Sequence, residues 1–310
     1  MLASEMLRVA VFLAVVGTVF VLAAVFIAQR IRGRKARAGL AAWFERAIPA
    51  LAALGLGCIA YGYFVEPYWL EVTHLRIETP KLARGSRLVR IVLISDLHSD
   101  PKARLEERLP DVVAGLAPDV ILFAGDSINS TGGLPNFRGC LKRLAALAPT
   151  FVVKGNWDVS FWNDQPLFTD TGARELDGNA VRLPVAGGEL WIAGAAYGNV
   201  DGIERELASR PREAFTILLF HTPDEIYEVA RQGVDLYCAG HTHGGQVALP
   251  LYGALVTLSR FDKKFEAGPH RVEQTWLYVN RGMGMEGGPA PRVRFAARPE
   301  VTLIELSGTR

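Results

Sequence analysis

The sequence predicts an α/β fold in which two packed sheets are flanked by helices, behind two long apolar N-terminal helices. Three observations carry this. From Leu88 onward, apolar runs of strand length alternate with segments of helical periodicity. Several more strand-like runs follow, more than one ordinary sheet accommodates. The apolar excess of the 310-residue chain is concentrated at its front.

The front segment, 1–66, reads as a membrane anchor. "VAVFLAVVGTVFVLAAVFIA", Val9 to Ala28, carries no charge and has about the ~20 residues a spanning helix needs. It is too long for a signal peptide and lacks a small-x-small cleavage site. "AIPALAALGLGCIAYGYFV", Ala47 to Val65, is a second span; its Pro49 and glycines are tolerated in membrane helices. A buried helix of a soluble protein is the other reading of that segment. Between them lies a basic loop with Arg30, Arg32, Arg34, Lys35, Arg37 and Arg46 against Glu45. By the positive-inside tendency this loop is cytoplasmic. The remaining chain is then periplasmic or extracellular, on a multi-pass protein of the inner or plasma membrane. The lipid bilayer is the first expected partner. A formal charge of +2 gives no reason to expect a nucleic acid duplex as another. Cys58, Cys140 and Cys238 are scattered and suggest neither a disulfide framework nor a metal pair.

Residues 67–87 read as a linker with a lead-in strand, and 88–310 as the catalytic domain. "LVRIVLISD", "DVILFAGD" and "TFVVKGNWD" are buried strands. Leu105, Leu109, Val112, Val113 and Leu116 mark one helix between them; Phe137, Leu141, Leu144 and Ala148 mark another. This alternation builds a parallel sheet through right-handed crossovers. "ELWIAGAA", "FTILLFH", "VDLYCAGH", "TWLYVNRG" and "EVTLIEL" supply further strands, with a helix near Pro223 to Arg231.

Ligands of open α/β sheets gather beyond the carboxyl ends of the strands, and polar residues fall there repeatedly. Asp96 and His98 follow the first strand, Asp126 the second, Asn156 and Asp158 the third. His221 ends a later strand; His241 and His243 end another. Each alone is unremarkable in a loop. Together, such a cluster of carboxylates and imidazoles is costly to bury without cations. Seven ligands suit two ions held ~3.5–4 Å apart with a bridging carboxylate. The mixed donor set favours Mn, Fe or Zn over Ca or Mg. If the chain stays extended, His241 and His243 at i and i+2 point to one side.

The motifs "DLH", "GD", "GNWD", "FH" and "GHTHGG", in that order between about Arg90 and Leu306, resemble the signature of the calcineurin-like metallophosphoesterases. With the apolar front, the chain is similar to a bacterial branch of membrane-associated phosphodiesterases and hydrolases of lipid-linked UDP-sugars. The resemblance implies a four-layer αββα sandwich with two mixed sheets. It implies that Asp96, His98 and His243 hold one divalent metal, and Asn156, His221 and His241 the other, with Asp126 bridging. It further implies hydrolysis of a phosphodiester or pyrophosphate, in preference to a monoester, by attack of a hydroxide bridging the metals. One position departs. The family has histidine after the metal-binding asparagine, and this chain has Trp157. Indole cannot transfer a proton at neutral pH, so leaving groups that need little protonation are expected. Trp157 is also a candidate wall of the substrate pocket. Asp158 either orients its neighbours in the site or caps the next turn.

In "NRGMGMEGGPAPRVRF", Arg281 either grips a substrate phosphate or is a salt-bridged loop residue. Phe261, Phe265, Arg260, Lys263 and Lys264, with Arg292, Arg294 and Phe295, either rest on anionic headgroups or form a solvated hairpin. The expected substrate is a phosphate ester with a lipid or cell-envelope part. The competing reading, a catalytically silent metal-binding sensor or scaffold at the membrane, rests on Trp157 alone. Neither the oligomeric state nor the native metal follows from the residues.

Overall fold

The structure, a computed structural model, describes residues 1–35, 37–287 and 291–309. Two long helices open the chain, α1 (Ala3–Ile31) and α2 (Leu40–Phe64). Both are longer than the apolar segments alone suggest. Their apolar side chains, Leu13, Val15 and Val21 on α1 and Leu51, Leu54 and Leu56 on α2, are exposed. In α2 only Ala52 and Gly62 are buried, which argues against a core helix. Both helices are long and apolar enough to cross a membrane.

The rest of the chain forms strands β1 (Glu71–Thr79), β2 (Val89–Ile94), β3 (Val120–Phe123), β4 (Thr150–Val152), β5 (Arg174–Glu175), β6 (Asn179–Val185), β7 (Gly188–Gly194), β8 (Phe215–Leu219), β9 (Leu236–Ala239), β10 (Ala248–Leu249), β11 (Gly253–Ala254), β12 (Gly268–Val272), β13 (Thr275–Val279) and β14 (Glu300–Gly308). Between them run helices α3 (Leu109–Leu116), α4 (Leu134–Ala145), α5 (Asn156–Phe161), α6 (Val200–Ala208) and α7 (Ile226–Arg231).

One mixed sheet has the order β1-β14-β2-β3-β4-β5, the other β12-β13-β9-β8-β7-β6. Within them β2, β3, β4 and β5 are parallel, as are β7, β8, β9 and β13. Strand alternation sorts the core into three layers. Ile91 and Leu93 of the first sheet face Leu190, Ile192, Ile217 and Leu219 of the second. Their neighbours Val92 and Ile94 turn outward onto Val113 of α3 and Leu141 of α4. On the far side, Leu218 and Tyr237 cover Ile203, Leu207 and Val229 of α6 and α7. The result is the four-layer αββα sandwich with two mixed sheets.

The linker reading of 67–87 changes in one respect. β1 pairs in parallel along its whole length with β14, from Glu71 with Glu300 to Thr79 with Gly308. The segment after α2 therefore completes the first sheet. The end of α2 also docks on the later part of the chain. Arg294 N–H donates to the Gly62 carbonyl at 2.9 Å, Phe295 packs edge-on to Tyr61, and Glu66 accepts the backbone N–H groups of Ala296 and Ala297. Arg294 is fully buried and so is removed from any headgroup-binding surface. Phe265 is buried, and Phe261 packs with it against Tyr227.

Candidate metal centre

Five parallel strands deliver the candidate ligands to one rim: Asp96 and His98 beyond β2, Asp126 beyond β3, Asn156 at the start of α5 beyond β4, His221 beyond β8, and His241 and His243 beyond β9. The backbone there is bent sharply. Asp96, His98, Asp126, His241 and His243 all have positive φ, between 41° and 73°, a conformation that non-glycine residues rarely hold and that clusters at functional sites. The extended-chain expectation for His241 and His243 fails for this reason. Both sit in a turn, and their rings go to different neighbours.

One group comprises Asp96, His98 and His243, whose ligand atoms all lie within 4.8 Å of one another. His243 Nε2 is 3.6 Å from Asp96 Oδ1. Neither ring nitrogen of buried His98 has a hydrogen-bond partner among the described residues. The second group is Asn156, His221 and His241. Asn156 Oδ1 lies 2.8 Å from His221 Nε2 and 2.9 Å from His241 Nδ1, and the two ring nitrogens are 3.2 Å apart. Asp126 stands between the groups. Its Oδ2 is 3.5 Å from His98 Nε2 and 3.4 Å from His221 Nε2.

The second group can be examined lone pair by lone pair. The Ala124 carbonyl fixes a proton on His221 Nδ1 at 2.7 Å, and the Leu258 carbonyl fixes one on His241 Nε2. The other two ring nitrogens then converge on an amide oxygen as acceptors. Turning the Asn156 amide to present its NH₂ relieves that crowding, and so does positive charge. A proton on His221 is one form: burial opposes it, but Asp126 overrides burial and lifts the group to about 9. A divalent cation is the other. The remaining imidazoles suit metal binding, which needs neutral rings. Burial holds His98 and His241 down to about 4. Burial, then His98 and Arg294, hold His243 well below the usual range. Burial works to raise Asp126, but His221, His98 and His241 outweigh it and keep the acid at about 2.

Asp158, expected among the catalytic residues, touches none of these ligand atoms. Its carboxylate accepts the backbone N–H groups of Asp126 (2.9 Å), Ser127 (2.9 Å) and Gly155 (3.0 Å) and the Ser127 hydroxyl. It therefore caps α5 and fixes the Asp126 backbone in one stroke, uniting both readings of the sequence. Burial, then Asp126, raise it to about 7. Of the two readings of Arg281, the salt-bridged one matches its surroundings: it pairs with Glu71 at 2.8 Å and Glu300 at 3.1 Å. Trp157 does stand at the rim. Its backbone N–H donates to Asp126 Oδ1 at 2.8 Å, and its ring meets His98 edge-on at 5.3 Å.

Two neighbours escaped the sequence reading. Glu286 is next to the Trp157 side chain, and burial followed by Asp126 raises its pKa. Arg294 is fully buried, its guanidinium donating to the carbonyls of Gly284, Ala297, Arg281 and Gly282, 3.4 Å from His243 Nδ1. Both lie in the loop that drew attention to Arg281 (residues 288–290 of it lie outside those described), where no periodicity tells which side chain turns inward.

Fold and site together define a metallophosphoesterase. The chain belongs to the calcineurin-like phosphoesterase family, whose model matches residues 89–245. It is 32% identical to the metallophosphoesterase YkuE of Bacillus subtilis (strain 168), over 84% of this chain and 94% of that one. It is 28% identical to phosphodiesterase YaeI of Escherichia coli (strain K12), over 85% and 97%. It is 26% identical to the UDP-2,3-diacylglucosamine pyrophosphatase LpxG of Chlamydia muridarum (strain MoPn / Nigg), over 77% and 90%.

Proposed function

We propose that this protein is a membrane-anchored phosphoesterase with two divalent metal ions, cleaving a phosphodiester or pyrophosphate whose other part is a lipid or envelope component. The observation that carries this is the convergence of seven candidate ligands on one rim, including a buried His98 whose ring nitrogens have no hydrogen-bond partner among the described residues, and Asn156, His221 and His241 facing one another at 2.8–3.2 Å. These residues fit two ions, with Asp96, His98 and His243 on one, Asn156, His221 and His241 on the other, and Asp126 shared. Mn, Fe or Zn suits such donors. When bound, such a pair supplies Lewis acidity toward the phosphoryl oxygens and lowers the pKa of water.

The chain's own residues set the geometry. Asp126 stays ionised between the two groups, and Asp158 holds its backbone. Trp157 walls the rim beside His98 and offers no transferable proton, which favours substrates whose leaving group departs with little protonation. The phosphodiesterase and pyrophosphatase names of YaeI and LpxG support a diester or anhydride substrate; the acyl chains in the second name support a lipid-linked one. The start of α1 and the end of α2 both lie against the catalytic domain, which supports two crossings with the basic loop on the opposite side.

Full-length protein reconstituted with Mn²⁺ is expected to release nitrophenol from bis-nitrophenyl phosphate and to lose that activity on chelation. A lipid pyrophosphate or phosphodiester should be preferred over a soluble monoester. Stoichiometric metal binding without turnover of any ester on the panel would support the silent scaffold instead.

A further inference from the structure

Each candidate ligand comes from a strand end, yet one of them is also held from the anchor. His241 donates Nε2–H to the carbonyl of Leu258 at 3.4 Å. A carbonyl only accepts, so this bond leaves the lone pair on Nδ1, the nitrogen facing Asn156. Leu258 itself sits at φ 57°, a backbone state that costs a leucine energy and must be imposed by its surroundings.

The first turns of α1 impose it. The Glu5 carboxylate is fully buried, and its Oε1 accepts the N–H groups of Thr257 at 2.8 Å and Leu258 at 3.1 Å and the Thr257 hydroxyl at 3.2 Å. Its Oε2 accepts the Leu2 N–H at 2.8 Å, tying the same acid to its own helix. One turn on, Arg8 forks onto Asp262 at 3.0 and 2.5 Å and donates Nε–H to the Leu255 carbonyl at 3.0 Å. Asp262 also has positive φ, 52°. The helix thus grips residues 255–262 at several points around the carbonyl that meets His241. A helix that only tethers needs no buried carboxylate, which is costly to desolvate unless fully bonded.

We propose that Glu5 and Arg8 are positioning residues for His241: they hold residues 255–262 in the arrangement that presents the Leu258 carbonyl to Nε2 and so keeps Nδ1 available to a divalent cation. This rests on the metal-centre reading above and extends it, because it makes the anchor a structural part of the site.

The test is calorimetric titration of metal-stripped, full-length protein in detergent micelles with Mn²⁺. Wild type should show two sites. Glu5→Ala should weaken one of them by about tenfold or more, the scale seen when the partner of a ligating histidine is lost, and leave the other within about twofold. Glu5→Gln keeps an acceptor oxygen and should recover most of the loss. Asp262→Asn should shift the same site in the same direction by less. Two wild-type affinities in Glu5→Ala, or equal weakening of both sites, would overturn the proposal. If Glu5→Ala does not fold, Asp262→Asn is judged by the same criterion. A wild-type protein that binds no Mn²⁺ would remove the metal-centre reading itself, a result distinct from two intact sites in the variant.

Discussion

Asp126 is held from every side that the fold offers. The Trp157 backbone N–H donates to one carboxylate oxygen, the His98 backbone N–H donates to its backbone carbonyl, and Asp158 accepts its backbone N–H. The last bond gives a sharp prediction. Asp158→Asn keeps the size of the side chain but turns one acceptor oxygen into an NH₂ group facing N–H donors. A buried donor left unsatisfied costs ~1–3 kcal/mol, so the melting temperature should fall accordingly. Metal affinity should fall by roughly 10–100-fold, as it does when supports of ligating residues are lost. Mn²⁺ titration beside thermal unfolding checks both, and an unchanged affinity would reduce Asp158 to a helix cap. At this scale the sequence was legible wherever a polar residue directly followed an apolar strand, because strand direction alone carries such residues to the rim. Arg281, Glu286 and Arg294 share one irregular loop, and which of them turns inward depends on packing against Glu71, Glu300 and Trp157 from distant parts of the chain.

Among the elements, buried central strands announced themselves and edge strands did not. β2, β3, β8 and β9 are nearly continuous apolar runs because helices and a second sheet cover both faces. β6 and β12 are edge strands with mixed exposure, and each contains a proline, Pro184 and Pro269, which weakens the strand signal. The turn after β9 shows what its glycines are for. A Cβ on Gly240 would lie 2.4 Å from Asp96 Oδ2 and 2.6 Å from Ser95 Oγ. The position has no positive φ, so alanine is excluded by contact alone. Gly240→Ala should cost ~1–3 kcal/mol of stability by overpacking and push the Asp96 carboxylate off its place beside His243. Mn²⁺ titration of the variant should then show the loss concentrated at the site of Asp96, His98 and His243. Equal binding at both sites, with wild-type stability, would mean the close approach of β9 to Asp96 does not exist.

For the whole molecule, helix length and charge combine into a statement about sidedness. α1 has 29 residues, about 44 Å at ~1.5 Å per residue, against a hydrocarbon core of ~30 Å. If α1 spans, that length leaves room for its first turns, where Glu5 and Arg8 bind residues 255–262, to lie outside the hydrocarbon. The end of α2 returns to that domain through Gly62, Tyr61 and Glu66. If both helices cross a bilayer, as proposed, starting and finishing on one body puts the basic turn between them, with Arg30, Arg32, Arg34 and Lys35, on the opposite side. On that proposal, the positive-inside tendency predicts that the turn is cytoplasmic and the metallophosphoesterase domain lies on the outer face. Single-cysteine reporters separate the alternatives. Intact cells treated with a membrane-impermeant maleimide should label Arg84→Cys, exposed on the metallophosphoesterase domain, and spare Arg34→Cys until the membrane is opened. Labelling of Arg34→Cys alone would put the domain in the cytoplasm, and equal labelling of both would mean that the helices do not cross the bilayer.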